Sequence, residues 1–521
     1  MKSGIRFAAL LVLALLAIAL GACSGDRGAE QPEDGNGPSV TDGEGALILG
    51  GEIVVGIAQD LDSSLDPHEM VAAGTAGTRE VMFNVFEGLV KPNPDGELIP
   101  AVAESFVIDG TIYTFTLREG VRFHNGDPVT VEDIVYSIER GADEGETATF
   151  VSALSVVTRV ETRDEWTVEI EIEEPDNAFL AHLTLPIIPR NHADHGRNPV
   201  GTGPFRFVSY SPQESLVLER FEDYWGHPAY LDRVTFRIYG SGDVLVMALN
   251  AGAIDLAAHL TVDMVDQLSD DFVALEGPMS LVQALYLNHA VEPLDKLEVR
   301  QALSYAVDIR EIMAILAGGR GHPTGSSIHP AFTRYFNEEL VDFYPHDPDR
   351  ARALLAEAGY PDGFDLEITV PGNYTPHVIT AEVLVEQLRA VGVNATIRLV
   401  EWTYWVSEVN VGRQFESTVI GFAARDLTAR SALERFVSDN RRNLINFNSP
   451  AYDAVFAEAL TETDDARRIQ LYRELQAILA REAANVYLQD LVNMVAIRRD
   501  LAGFQFYPIY VMNLATVHFI A

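Results

Sequence analysis

Lysine and cysteine are nearly missing from this chain of 521 residues: Lys2, Lys91 and Lys296 are its only lysines and Cys23 its only cysteine. One thiol allows no internal disulfide and no Cys-based metal cluster. Basic residues are scarce overall, 37 Lys and Arg against 77 Asp and Glu, for a net charge of −40. Nucleic acids and anionic membrane surfaces need clustered Lys and Arg, so neither is the expected partner. A GC-rich genome, a salt-adapted host or an acidic cleft for cationic ligands would each produce this bias, and composition does not separate them. Catalytic signatures are missing too: the chain has no Gly-x-Ser-x-Gly elbow, no Walker loop and no His-Glu-x-x-His. These absences do not exclude an enzyme, such as a secreted hydrolase, but nothing in the sequence asks for one, nor for a cofactor or a metal.

What is present begins with an address. Lys2 and Arg6 precede the apolar run Phe7 to Leu20, which is shorter than the ~20 residues of a spanning helix and has the length of a signal-peptide core. It ends in Leu20-Gly-Ala-Cys23, small residues that suit a cleavage site. The following stretch to about residue 45 is rich in Gly, Pro, Asp and Glu without apolar periodicity, as a flexible tether would be. The whole chain is 47% hydrophobic, enough for a large core.

The organising stretch is Pro199-Val-Gly-Thr-Gly-Pro-Phe205, continued by Glu219-Arg-Phe-Glu-Asp-Tyr-Trp-Gly226. Two glycines and a proline make a tight turn, and Phe205, Phe207 against Leu216, Leu218 around Ser211-Pro-Gln213 read as a hairpin. A phosphate cradle is excluded by the missing third glycine and by Pro204, which removes a donor. These residues resemble the bacterial extracellular solute-binding proteins of family 5, the dipeptide, oligopeptide and nickel receptors of ABC importers. The likeness continues in Leu65-Asp66-Pro67, Asn84-Val-Phe-Glu87-Gly88-Leu89, Ala353 to Pro361 and Gln387 to Gly392. With it, Leu20 to Cys23 is similar to a bacterial lipobox, whose cysteine is lipidated and becomes the first mature residue.

Residue patterns outline an α/β body. Gly51 to Ala58 reads as a buried strand; Ile112 to Leu117 and Trp166 to Ile172 alternate as half-exposed strands; Thr130 to Asp133 is a capped helix start. Asp243 is the expected N-cap of a helix over 244–250, stopped at Gly252. Val299, Ala302, Leu303 and Ala306 line one helix face. Asp347, Pro348 and Gly359 cap a second helix. Leu366 to Val370, a helix over 378–391 and Val393 to Leu399 form a βαβ unit. The resemblance implies a periplasmic-binding-protein-like two-lobe fold (type II, cluster C) with an extra α+β subdomain. Its division would be 1–22 signal peptide, 23–48 lipidated tether, 49–85, 199–286 and 490–521 first lobe, 86–198 extra subdomain and 287–489 second lobe. Hinges are expected near 285–289 and 489–493.

Among candidate chemical groups, His192, His195, His322 and His329 have no zinc spacing and read as surface residues. Glu169 to Glu174 alternates with apolar residues, as the solvated face of an edge strand would. The resemblance places the ligand against Leu65 and Asp66 of the first lobe and Trp402, Gly421 and Phe422 of the second; Trp405 reads equally as core or cleft. Peptide-binding members carry an aspartate three residues after the aromatic of the Gly-Phe position, for the ligand's α-ammonium. Arg425 stands there in this chain, with Asp426 beside it. A guanidinium suits a carboxylate or phosphate and opposes a free amino terminus. Implied partners are a small solute, first among them a peptide, the permease and ATPase subunits, and a membrane met through the lipid anchor. The protein would be a monomer in the cell envelope, facing the periplasm or the extracellular side.

Overall fold

The computed structural model describes residues 45–69, 76–143, 151–176, 178–423, 428–462 and 464–521. Cys23, Arg425 and Asp426 lie outside the described residues. The backbone of the fold is one eleven-stranded mixed sheet. Its order runs Val393–Val400, Phe364–Pro371, Ser417–Ala423, Phe272–Leu287, Asn485–Arg498, Leu256–Leu260, Glu52–Ile57, Arg233–Ile238, Ser215–Arg220 and Phe205–Ser211, with His322–Pro323 pairing Asn485–Arg498 off this path.

At its centre are two long antiparallel strands, Phe272–Leu287 and Asn485–Arg498. They pair from Phe272↔Arg498 to Tyr286↔Asn485, with a register break between Pro278 and Val282. On one side of them, strands 52–57, 205–220, 233–238 and 256–260 bury Ile53, Val55, Phe205, Leu216, Leu218 and Phe236 in a first core. On the other, the parallel pair Phe364–Pro371 and Val393–Val400, joined by helix Thr375–Arg389, buries Leu366, Ile368, Val370, Leu384 and Val393. The βαβ expectation is met, as is the helix face of Val299, Ala302, Leu303 and Ala306 on Leu297–Ala306.

A separate four-stranded antiparallel sheet, Ala103–Asp109, Ile112–Leu117, Thr167–Ile172 and Val157–Thr162, packs with helix Val131–Ala142 around its own core of Tyr113, Phe115, Ile134, Val168 and Ile170. This is the extra α+β subdomain. Strand Thr167–Ile172 is internal to the sheet and not an edge. Its glutamates stay on the solvent face, where Arg159 of the neighbouring strand pairs with Glu169 and Glu171 and Arg163, just past that strand, with Glu169.

Two long-range seams hold the subdomain in place. In the Gly201-Thr-Gly203 turn, a Cβ at position 201 or 203 would collide with the carbonyl oxygens of Val85 or Asn84, so only glycine lets these backbones meet. Gly203 N donates to Val85 O (2.9 Å) and Phe205 N to Asn84 O (3.1 Å). Glu87 is the hub: it accepts from Tyr224 Oη (2.7 Å), Trp225 Nε1 (2.7 Å) and Lys91 Nζ (2.9 Å). Motifs about 140 residues apart therefore close on one carboxylate.

Helix Pro348–Glu357 has the Asp347 cap, whose side chain accepts from Arg350 N (2.9 Å). Helix Gly242–Asn250 starts earlier than expected, with Ser241 at the N-cap and Asp243 in the first turn, where its charge still meets the helix dipole favourably. Leu47 and Ile48, assigned by sequence to the tether, pair as a short strand with His518–Ile520. The C-terminal strand offers them backbone partners that composition alone does not reveal. No helix among the described residues is long and apolar enough to cross a membrane.

Candidate functional site

A cavity of about 580 Å³ opens between the two halves of the molecule, within the size range of small-molecule sites. One wall comes from helix Ala76–Met82 and the chain after it, with Met82, Phe83 and Phe86, and from the C-terminal segment with Ile509, Tyr510 and Val511. The opposite wall is the stretch 428–442 of the second lobe. Arg430 of helix Ala429–Leu433 pairs with Asp176 of the extra subdomain.

The cavity's charges run against those of the chain. Five cationic side chains line it, Arg79, Lys91, Arg430, Arg441 and Arg442, against two carboxylates, Glu87 and Glu434. In the whole sequence acids outnumber Lys and Arg two to one. Both lining carboxylates are engaged, Glu87 with Lys91, Tyr224 and Trp225, and Glu434 with Arg442 (2.7 Å) and Arg430 (3.7 Å). Arg441 is exposed, and its guanidinium makes no hydrogen bond or ion pair with any described residue.

The residues singled out in the sequence fall into two groups, neither of which lines this cavity. Leu65 is fully packed in the first core. Asp66 is 4% exposed and held bidentate by Arg140 (2.9 and 2.7 Å), with His68 N donating to its Oδ1 (3.0 Å). Burial would raise its carboxyl, but Arg140 and the His68 amide outweigh burial and hold it below its ordinary value. The Leu-Asp-Pro loop thus fastens the first lobe to helix Val131–Ala142, which carries Arg140.

In the second lobe the aromatic residues form a ladder. Trp402, 37% exposed, stacks on Trp405 (5.3 Å, 6°) and meets Tyr374 edge-on (5.3 Å). Trp405 is core, 2% exposed, with Nε1 donating to Thr418 Oγ1 (3.0 Å). Phe422 is half-buried, with Tyr286 edge-on at 5.1 Å and the Arg435 guanidinium 3.6 Å over its ring. Gly421 pairs with Gln283 inside the sheet, and a Cβ there would collide with Leu281.

Two histidines read as surface residues are buried: His195 is 5% and His329 1% exposed, both with ring nitrogens lacking a partner. His329 stacks on Phe332 of its own loop (4.4 Å), and His195 meets His192 edge-on (4.9 Å). Among the described residues no cluster of three or more His, Cys, Asp or Glu is placed to hold a metal. Sequence reasoning missed the five cleft cations. The one available signal was the pair Arg441-Arg442 in a chain poor in basic residues.

Comparison with known proteins matches this architecture. The family described as bacterial extracellular solute-binding proteins, family 5 (middle) matches residues 97–443. Heme-binding protein A of Haemophilus influenzae is 28% identical over 479 residues, covering 84% of this chain and 86% of the relative. The glutathione-binding protein GsiB of Pectobacterium atrosepticum is 26% identical over 472 residues, covering 86% and 90%. Among solved structures, the Helicobacter pylori periplasmic binding protein DppA in complex with the peptide STSA superimposes with a TM-score of 0.77 at 25% identity, over 91% of this chain and 99% of that one. These relatives are binding proteins of transporters. With its two lobes, extra subdomain and interlobe cavity, the chain belongs to the bacterial extracellular solute-binding proteins of family 5, the solute receptors of ABC importers.

Proposed function

We propose that the chain captures a peptide-sized solute between its lobes and delivers it unaltered to an ABC permease and ATPase. The observation that carries this reading is the 580 Å³ cavity between the lobes, lined by apolar and charged side chains together, in a chain of this family. Peptide stands first because relatives include a glutathione-binding protein and a peptide-bound structure. A nickel chelate or an oligosaccharide is less favoured by these walls, and an organic anion is favoured by the cleft cations.

Closure would turn on the paired central strands, near residues 285–289 and 489–493, between lobes divided as 49–85, 199–286 and 490–521 against 287–489, with 86–198 as the subdomain. Trp402 and Phe422, with Gly421 and the flanking Arg425 and Asp426, would form a further contact surface on closing. Ligand binding should therefore compact the molecule, which small-angle scattering reads directly.

Cys23 would carry the lipid after removal of 1–22, leaving a monomeric receptor tethered at the envelope surface. Processed wild type should fractionate with membranes and show a lipid mass on its N-terminal peptide, while Cys23→Ala should lose both. A processed wild-type N-terminus without lipid mass contradicts the anchor.

A further inference from the structure

We propose that Tyr510 is the platform on which the solute lays an aromatic ring, and that His259 is the residue that positions it. This rests on the receptor reading above and narrows its ligand to solutes that carry such a ring. Tyr510 stands in the partition 509–511 between the cleft cavity and a small pocket behind it, and it lines both. On the rear side the imidazole of His259 lies flat against it, with ring centroids 4.6 Å apart and planes 8° from parallel. His259 Nε2 donates to Glu80 Oε1 (2.7 Å), so a buried carboxylate on helix Ala76–Met82 fixes the plane of the imidazole.

Strand Leu256–Leu260 breaks register with Asn485–Arg498 between Ala257 and Leu260, and there His259 takes φ +59°, a left-handed conformation uncommon outside glycine. Strain of that kind gathers at ligand sites, where the surrounding structure holds it. The chain that carries Tyr510 is fastened just beyond it: Met512 N donates to Glu80 O (3.1 Å) and Asn84 Nδ2 to Met512 O (2.7 Å). A ring held on its rear face and along its backbone is oriented before the ligand arrives, which lowers the ordering cost of binding. Burial works against a charged imidazole, but Glu80 outweighs burial and raises His259 above its ordinary value. The imidazolium draws π density to the rear face, so the cleft face disfavours a ligand cation and accepts an offset-stacked ring. Met82, Phe83 and Phe86 give that ring an apolar bed. Burial raises the Tyr510 hydroxyl, and Glu80 and then Tyr374 of the second lobe add to it. Tyr374 meets Trp402 edge-on (5.3 Å), so a ring seated on Tyr510 has an aromatic pair close by on the other lobe.

The test is a calorimetric panel on the mature protein. It contains alanine tripeptides carrying one Trp, Leu or Lys at each position in turn, and N-acetyltryptophanamide. Trp peptides should bind about two- to tenfold tighter than the best Leu peptide, the range of aromatic pairing beyond area burial, and Lys peptides should bind weakest. Tyr510→Phe should keep the Trp-to-Leu ratio, and Tyr510→Leu should bring it close to one. His259→Gln combined with Glu80→Gln, which exchanges the ion pair for neutral amides, should lower the ratio and weaken the discrimination against Lys with Tyr510 still in place. A ratio unchanged in Tyr510→Leu overturns the platform, and a ratio unchanged in the amide pair overturns the role of His259; in either case the receptor reading stands. Binding of N-acetyltryptophanamide alone keeps the ring and removes the peptide. No binding by any member overturns both.

Discussion

Acidification from pH 7 to pH 4 is expected to unfold this protein in a step that takes up several protons. Six histidines, His68, His124, His195, His289, His329 and His377, are pushed by burial from 6.5 to about 3 or about 4. The hydrogen bonds agree with neutral rings. His124 Nε2 donates to Gly203 O (3.0 Å) while its Nδ1 accepts from Gly201 N (3.3 Å), so protonation would set two donors face to face. His377 Nδ1 accepts from Gln283 Nε2 (2.9 Å). A depressed folded value means that the unfolded chain binds the proton first. The stability from these groups is therefore complete above about pH 6.5 and is lost as pH falls toward 4. Each such proton contributes about 1.4 kcal/mol per pH unit, so several together match the whole stability of a typical domain. Urea melts at pH 7, 6, 5 and 4 should show the midpoint collapsing across this window. His329→Leu, at a site with no partner for either nitrogen, should flatten the slope by about one proton. A midpoint constant from pH 6.5 to 4.5 would contradict the neutral-histidine account.

The opposite sign is expected of Asp490, at the crossing of the two central strands. Its carboxylate is fully buried, accepts from Leu281 N (2.9 Å) and leaves Oδ2 without a partner. It faces the register break between Pro278 and Val282, where Ser280 adopts φ +57°. Among the described residues no charged side chain compensates it, and burial raises it from 3.8 to about 7. A raised folded value means that the unfolded chain releases the proton first, so this group's contribution is complete below about pH 4 and lost as pH rises through 7. Asp490→Asn keeps the shape and the acceptor of the neutral acid. The variant should match wild type at pH 4 and exceed it by on the order of 3–4 kcal/mol at pH 8. Denaturation at the two pH values measures the difference. A variant weaker than wild type at pH 8 would mean that the charged form is the one the hinge needs.

Much of the fold was legible because it is written in local patterns. The Asp347-Pro348 cap, the alternation of Leu366, Ile368 and Val370, and the glycine turn at 201–203 each follow from rules within a few residues. The resemblance supplied the larger architecture, and Glu87, Tyr224 and Trp225 prove to be one cluster. What escaped depends on partners distant in the chain. Asp66 looked like a cleft residue until Arg140, 74 positions on, closed over it. His195 and His329 looked exposed because their neighbours are polar or small, yet both are buried in the folded chain. The cleft cations come from three separated stretches, and only the folded chain gathers them around one cavity.

Hinged capture is the central claim, and small-angle scattering of the mature protein, with and without a saturating Trp peptide from the panel, measures it most directly. The account predicts a smaller radius of gyration with ligand bound and the same peptide mass recovered afterwards. An unchanged scattering profile at saturation, or a peptide recovered as fragments, would contradict it.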